Sequence, residues 1–131
     1  MVLANRGPER GMAAARSLAL PFVPLAELFD PVAAGDAAFE VYVHATPLGR
    51  RSADELPLPI ARLAPGTVVV ELVYGEGPTP LVAEARRRGL PAIDGREVLM
   101  YQAIPQFRAM TGQDLPVALA RHVLGLEEDV P

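Results

Sequence analysis

Two rhythms run along this chain. Short apolar runs end in Gly, Pro, Asn or Asp, and stretches with a helical spacing lie between them. Met1–Ala4 is apolar and stops at "NRG", which predicts a strand over Val2–Ala4 ending in a polar turn. "PERGMAAARSLA" is Ala-rich with Pro8 near its start, a good helix. "PFVPLAELF" holds a short strand and a helical turn. Phe39–Ala45 and Thr67–Tyr74 read as strands. The second has an unbroken Val/Leu run, which suits a strand covered on both faces. Thr79–Arg88 reads as a helix with Pro80 in its first turn and Gly89 at its end. "LPAID" is a short strand. Arg96–Thr111 is a helix carrying Pro105, so a kink or break is expected there. Asp114 is placed to cap a last helix reaching about Leu124.

Strand and helix in regular alternation predict an α/β domain with a mostly parallel sheet. Composition supports this. Of 131 residues, 50% are hydrophobic, enough for one domain with a core, and an aromatic share of only 5% suits Ala/Val/Leu helices on a sheet. The net charge of −4 argues against a nucleic-acid surface. Without cysteine, no disulfide or cysteine-based metal site can form, and no other metal site is expected. The apolar runs are too short to cross a bilayer, and Arg6, Glu9 and Arg10 interrupt any leader-like start. A cytoplasmic protein is the expectation.

In a parallel α/β sheet, ligands sit beyond the carboxyl ends of the strands. Those ends are "NRG", "HATPLG", "VYGEG" and "DG". After the second strand of a dinucleotide fold, a basic residue accommodates the 2′-phosphate of NADP. Asn5, Arg6 and Arg10 stand there, and guanidinium groups suit a phosphate by charge and paired donors. Alternatively, both arginines are simply solvated. Thr46 offers a hydroxyl and Gly49 a close backbone approach, or the two make an ordinary turn. His44 is either a proton carrier or a structural residue at a strand end. His122 reads as a surface residue. Asp54, Glu55 and the acidic tail read as solvated charge rather than a carboxylate pair.

Together these segments resemble the C-terminal, NADP-binding half of the shikimate dehydrogenase family over roughly residues 2–125. "NRGPER" is similar to that family's Asn-Arg-Thr-x-x-Arg, and "HATPLGR" to its Asn-Ala-Thr-x-x-Gly-Met. "VYGEGPTPLVAEARRRG" resembles its Tyr-x-Pro-x-x-Thr segment and following helix. "DGREVLMYQAIPQFRAMTG" resembles Asp-Gly-x-x-Met-Leu-x-x-Gln-Ala-x-x-x-Phe-x-x-x-Thr-Gly. The resemblance implies a partial Rossmann-like three-layer α/β domain over 1–125, with 126–131 as a flexible tail. It implies that Gln102 and Tyr74 face the substrate, shikimate or 3-dehydroshikimate. Asn5, Arg6 and Arg10 would grip the adenosine 2′-phosphate of NADP. Thr46, Leu72, Gly95 and Val98 would lie by the coenzyme. Gln106 has no such counterpart.

Val98 stands where that pattern has Met, and the chain departs from it at four further places. Gly7 replaces a Thr, His44 an Asn and Arg50 a Met, and "YGEGPT" loses the usual Asn-Pro after Tyr. The resemblance also implies a first strand with a Gly-rich loop, and a substrate domain bearing a catalytic Lys and Asp. None of these is matched here, so no catalytic residue is assigned and the chain by itself is expected to be inactive. A quinate or aminoshikimate relative, or a non-catalytic α/β module, are the alternatives. In the usual strand order the missing strand lies between the second and fourth. Buried unpaired backbone groups cost about 1–3 kcal/mol each. Strand Val2–Ala4 is therefore expected to pair with Val41–Ala45, or a partner chain, as in a homodimer, to supply the pairing.

Overall fold

The computed structural model describes residues 1–30, 39–49 and 59–126. The chain divides into two compact units, residues 1–38 and 39–131.

The first unit contains β1 (Leu3–Asn5), α1 (Pro8–Ser17) and β2 (Phe22–Pro24), followed by a 3-10 turn over Leu25–Glu27. β1 and β2 are parallel, with Ala4 opposite Val23. Pro8 opens α1, where its missing N–H costs nothing. Gly11 faces the sheet because a Cβ there would lie 2.3 Å from the Phe22 ring and 2.8 Å from Asn5 Cβ. Ala15, one turn on, is buried on the same face.

The second unit contains β3 (Val41–His44), a 3-10 turn over Ile60–Arg62, β4 (Val68–Glu71), α2 (Pro80–Arg87), β5 (Ala92–Ile93), α3 (Gly95–Thr111) and α4 (Val117–Val123). The parallel order is β3-β4-β5, with Val43 opposite Val70 and Val70 opposite Ile93. One sheet face is packed. Val69 is sealed with Ile60, Leu81, Ala85 and Leu90, and Tyr42, Leu63 and Ala92 flank them. Thr79 caps α2 through the Val82 N–H, and Pro80 follows it.

The other face corrects an expectation. Val41 and Val43 are 52% and 53% exposed, and Ile93 is exposed beside them. Val68 and Val70, on the same face by register, are only partly buried. The apolar run of β4 is therefore buried on one side only among the described residues, because α2 covers the Val69 face alone.

Three further expectations are revised. β1 pairs with β2 and β3 with β4, so the pairing of Val2–Ala4 with Val41–Ala45 does not form among the described residues. α3 runs through Pro105 as one helix of 17 residues. The carbonyl that Pro105 cannot serve belongs to Tyr101, which is exposed and can turn to water. A full capping box at Asp94 and a left-handed Gly112 (φ 72°) hold the two ends. α4 starts after Pro116, not at Asp114. A residue before proline avoids the α region, so Leu115 stops the helix from reaching back. Asp114 instead lies 3.5 Å from Arg108, both exposed.

Candidate functional site

At the carboxyl end of β1, Asn5 Oδ1 accepts the Gly7 N–H at 2.8 Å, turning the chain into α1. Arg6 and Arg10 are exposed, with neither guanidinium bonded among the described residues. Two uncommitted guanidinium groups beside a helix start suit a phosphate. Gly7 is the N-cap and offers no side-chain acceptor.

The ends of β3 and β4 are joined more closely than the sequence suggested. The Leu72 N–H donates to the His44 carbonyl at 3.0 Å, extending the ladder past Glu71. Glu71 is fully buried and its carboxylate gathers three donors. Oε1 accepts from His44 Nδ1 and from the Val73 N–H, both at 2.8 Å, and Oε2 accepts the Thr79 hydroxyl at 3.3 Å. His44 Nε2 lies 2.6 Å from Thr46 Oγ1, which also accepts the Leu48 N–H at 3.3 Å. His44 is buried at the end of β3. Burial, with the Glu71 charge second, pushes the nearby Tyr42 phenol up to about 12.

Gly95 opens α3 directly beneath the β4 end. A Cβ at this position would lie 2.3 Å from the Val73 carbonyl oxygen and 3.2 Å from that of Glu71. These obstacles are backbone and cannot swing away. Gly95→Ala is therefore expected to cost about 1–3 kcal/mol or more, read as a lower urea midpoint. An unchanged midpoint would refute the close approach. Gly95 thus lies against the backbone of Glu71 and Val73 at the carboxyl end of β4, where Leu72 bonds the end of β3 and His44 holds Thr46. Val98 lies one turn along α3, partly buried. Tyr74 is exposed just past β4, and Gln102 and Gln106 are exposed on α3. Asn5, Arg6 and Arg10 belong to the first unit.

Sequence reasoning missed Glu71, Thr79 and Arg96. Glu71 had a signal: it is the one charge inside the apolar run Thr67–Tyr74. Arg96 had none. Its Nε and Nη2 donate to the two Asp94 oxygens, each at 3.0 Å, and Nη1 donates to the Leu124 and Gly125 carbonyls at 3.0 and 3.2 Å. One guanidinium thus secures both the start of α3 and the end of α4. Burial raises the Asp94 carboxyl, but the Arg96 hydrogen bonds outweigh it and hold the group below its ordinary value. His122 is exposed on α4. Arg50, Asp54 and Glu55 lie outside the described residues, as do 127–131 of the expected tail. Leu126, also assigned to that tail, is buried. Among the described residues no acidic or histidine cluster could hold a metal, and no helix is long and apolar enough to cross a membrane.

No protein-family model matches the chain. Curated relatives do. The shikimate dehydrogenase (NADP(+)) of Acidiphilium cryptum is 40% identical over 112 residues, 86% of this chain and 39% of that protein. The enzyme of the same name from Methanothrix thermoacetophila is 40% identical over 129 residues, 95% of this chain and 46% of its own length. Among solved structures, the shikimate 5-dehydrogenase of Thermus thermophilus in complex with NADP(H) and shikimate is 27% identical. It matches with a TM-score of 0.73 over 94% of this chain and 44% of its own. The quinate dehydrogenase of Corynebacterium glutamicum in complex with NAD is 26% identical, with a TM-score of 0.75 over 95% and 45%. The α/β fold with parallel strands is the Rossmann-like fold of these neighbours. The chain spans less than half the length of the relatives it matches, and along nearly all of its own length it is homologous to the shikimate dehydrogenases.

Proposed function

We propose that this chain is the C-terminal, NADP-binding part of a shikimate dehydrogenase. Joined to a substrate domain, it serves the NADPH-dependent reduction of 3-dehydroshikimate to shikimate in the cytoplasm. The observation that carries the reading is homology to NADP(+) enzymes of that name through 86–95% of the chain. Asn5, Arg6 and Arg10 hold the 2′-phosphate. Thr46, Leu72, Gly95 and Val98 line the coenzyme, and Tyr74 and Gln102 orient the substrate. Bound NADPH supplies hydride, and the residues of this chain bind and orient.

Residues 1–125 act in this reading as a partial domain. The sequence contains no lysine and no Gly-rich phosphate loop, so the isolated chain is inactive. β3 has a neighbour on one side only among the described residues, and that edge suits a further strand. A strand from the rest of the enzyme or from a second copy would fill it. The likeness to an NAD-bound quinate dehydrogenase favours a quinate-type relative as second reading. The two exposed arginines after β1 favour NADP over NAD.

The test joins this chain to the substrate-domain half of a shikimate dehydrogenase. Calorimetry with NADP and turnover of 3-dehydroshikimate are expected to appear together in the joined protein and be absent from the chain alone. Gln102→Ala is then expected to lower kcat/KM by roughly 10-fold or more, the loss of a substrate hydrogen bond. NADP affinity should stay within about twofold. A variant that lost NADP affinity and kept its KM would remove Gln102 from the substrate side.

A further inference from the structure

The geometry points to a carboxylate–imidazole–hydroxyl relay, Glu71–His44–Thr46, that sets which way the Thr46 hydroxyl points and makes coenzyme binding follow the protonation of His44. This rests on the reading that Thr46 lies beside the coenzyme.

The donors around Glu71 fix the direction of the chain of bonds. The Val73 N–H can only donate. Thr79 Oγ1 already accepts the Val82 N–H, so its proton is free for Glu71 Oε2. With both Glu71 oxygens accepting, His44 Nδ1 is assigned the hydrogen that reaches Oε1 at 2.8 Å. Neutral His44 then has a bare Nε2. The Thr46 hydroxyl, 2.6 Å away, donates to it. Its oxygen is left with lone pairs outward, one of them taken by the Leu48 N–H. In this state Thr46 can accept a hydrogen bond from a ligand and cannot give one. Its match is a group on the coenzyme that only donates, an amide N–H.

A second proton on His44 reverses the last bond. Nε2–H then donates to Thr46 Oγ1, and the hydroxyl hydrogen swings outward. The site turns from acceptor to donor and loses its match. Among the described residues, the titratable groups that face His44 are few. Glu71 on β4 is in contact. Tyr42 on β3, under the same carboxylate, stays neutral because its phenol is pushed up to about 12. α2 presents Thr79, which does not titrate. Asp94 at the start of α3 is committed to Arg96. An Asn at position 44, the usual residue of the family, has no proton to gain and cannot switch.

Two measurements test this, one independent of the coenzyme. Long-range proton–nitrogen NMR on the full chain with labelled histidine is expected to find neutral His44 as the Nδ1–H tautomer above pH 8. The Nε2–H tautomer would overturn the relay, since Thr46 would then receive the proton. The second compares NADP affinity in the joined enzyme at pH 8 and pH 5.5. Wild type is expected to weaken about tenfold more than His44→Asn. The coenzyme phosphate titrates near pH 6 in both forms and cancels in the ratio. Thr46→Val should weaken NADP about five- to tenfold at pH 8, with Thr46→Ser restoring it to within about twofold. A ratio near one, or a failed rescue by serine, would overturn the proposal. NADP binding by no form would sink the coenzyme reading instead and leave the tautomer to decide the relay.

Discussion

Replacing Arg96 by Met is expected to cost about 3–5 kcal/mol of stability. Arg96 is 6% exposed and Asp94 1%. The variant leaves a buried carboxylate without its guanidinium and releases the Leu124 and Gly125 carbonyls at the end of α4. Asp94 keeps the backbone N–H of residue 96, so the helix cap survives while the charge loses its partner. The damage is therefore electrostatic, and a second change should relieve it. Asn caps a helix as well as Asp, so Asp94→Asn added to Arg96→Met is expected to recover much of the loss. Urea unfolding of the two singles and the double closes the cycle. Additive losses would show that the buried charge is not the cause.

The same pair fixes the response to acid. Asp94 titrates below its ordinary value in the folded chain, so the unfolded chain takes up its proton first. Its stabilising contribution is complete above the unfolded value, about 3.9, and is lost as pH falls through the lower folded value. In Arg96→Met the sign reverses. Burial without a guanidinium raises the folded carboxyl, and protonation relieves the variant. The gap between wild type and Arg96→Met should therefore narrow as pH drops toward 4 and below. A gap constant from pH 7 to pH 3.5 would contradict this.

Arg6→Ala is expected to weaken NADP in the joined enzyme by roughly 10- to 100-fold, while NAD changes less than about twofold. A charge-assisted hydrogen bond contributes about 1.5–3 kcal/mol, and NAD lacks the 2′-phosphate that would receive it. Arg6 is exposed and has no bond to lose among the described residues, so the change should leave folding nearly untouched. Parallel titrations of both coenzymes are the check, and equal losses would refute the role. Gly7 offers a companion change. Its φ of −98° suits any residue, and an added Cβ meets only Asn5 Oδ1 at 3.7 Å. Thr in place of Gly changes an N-cap by only a few tenths of a kcal/mol. Any clear gain in NADP affinity from Gly7→Thr would therefore come from its hydroxyl on the phosphate.

The element order was legible in the sequence because local rules governed it. Pro8 and Pro80 mark helix starts, Gly89 marks a helix end, and the apolar runs before "NRG", "HATPLG" and "VYGEG" are strands. The resemblance needed only segment order and spacing, which homology over nearly the whole chain then matched. Tertiary structure alone decided the rest. Pairing β1 with β2 and β3 with β4 is a choice among strands that look alike one by one. Which face of β4 is covered depends on where α2 lands, since a run of valines is the same on both sides. Pro105 breaks no helix because exposure lets water serve the carbonyl it leaves. The ties from Arg96 to residues 124 and 125, and from His44 to Glu71, span 28, 29 and 27 positions. Local propensity carries no information at that range, and only folding brings such charges close enough to bond.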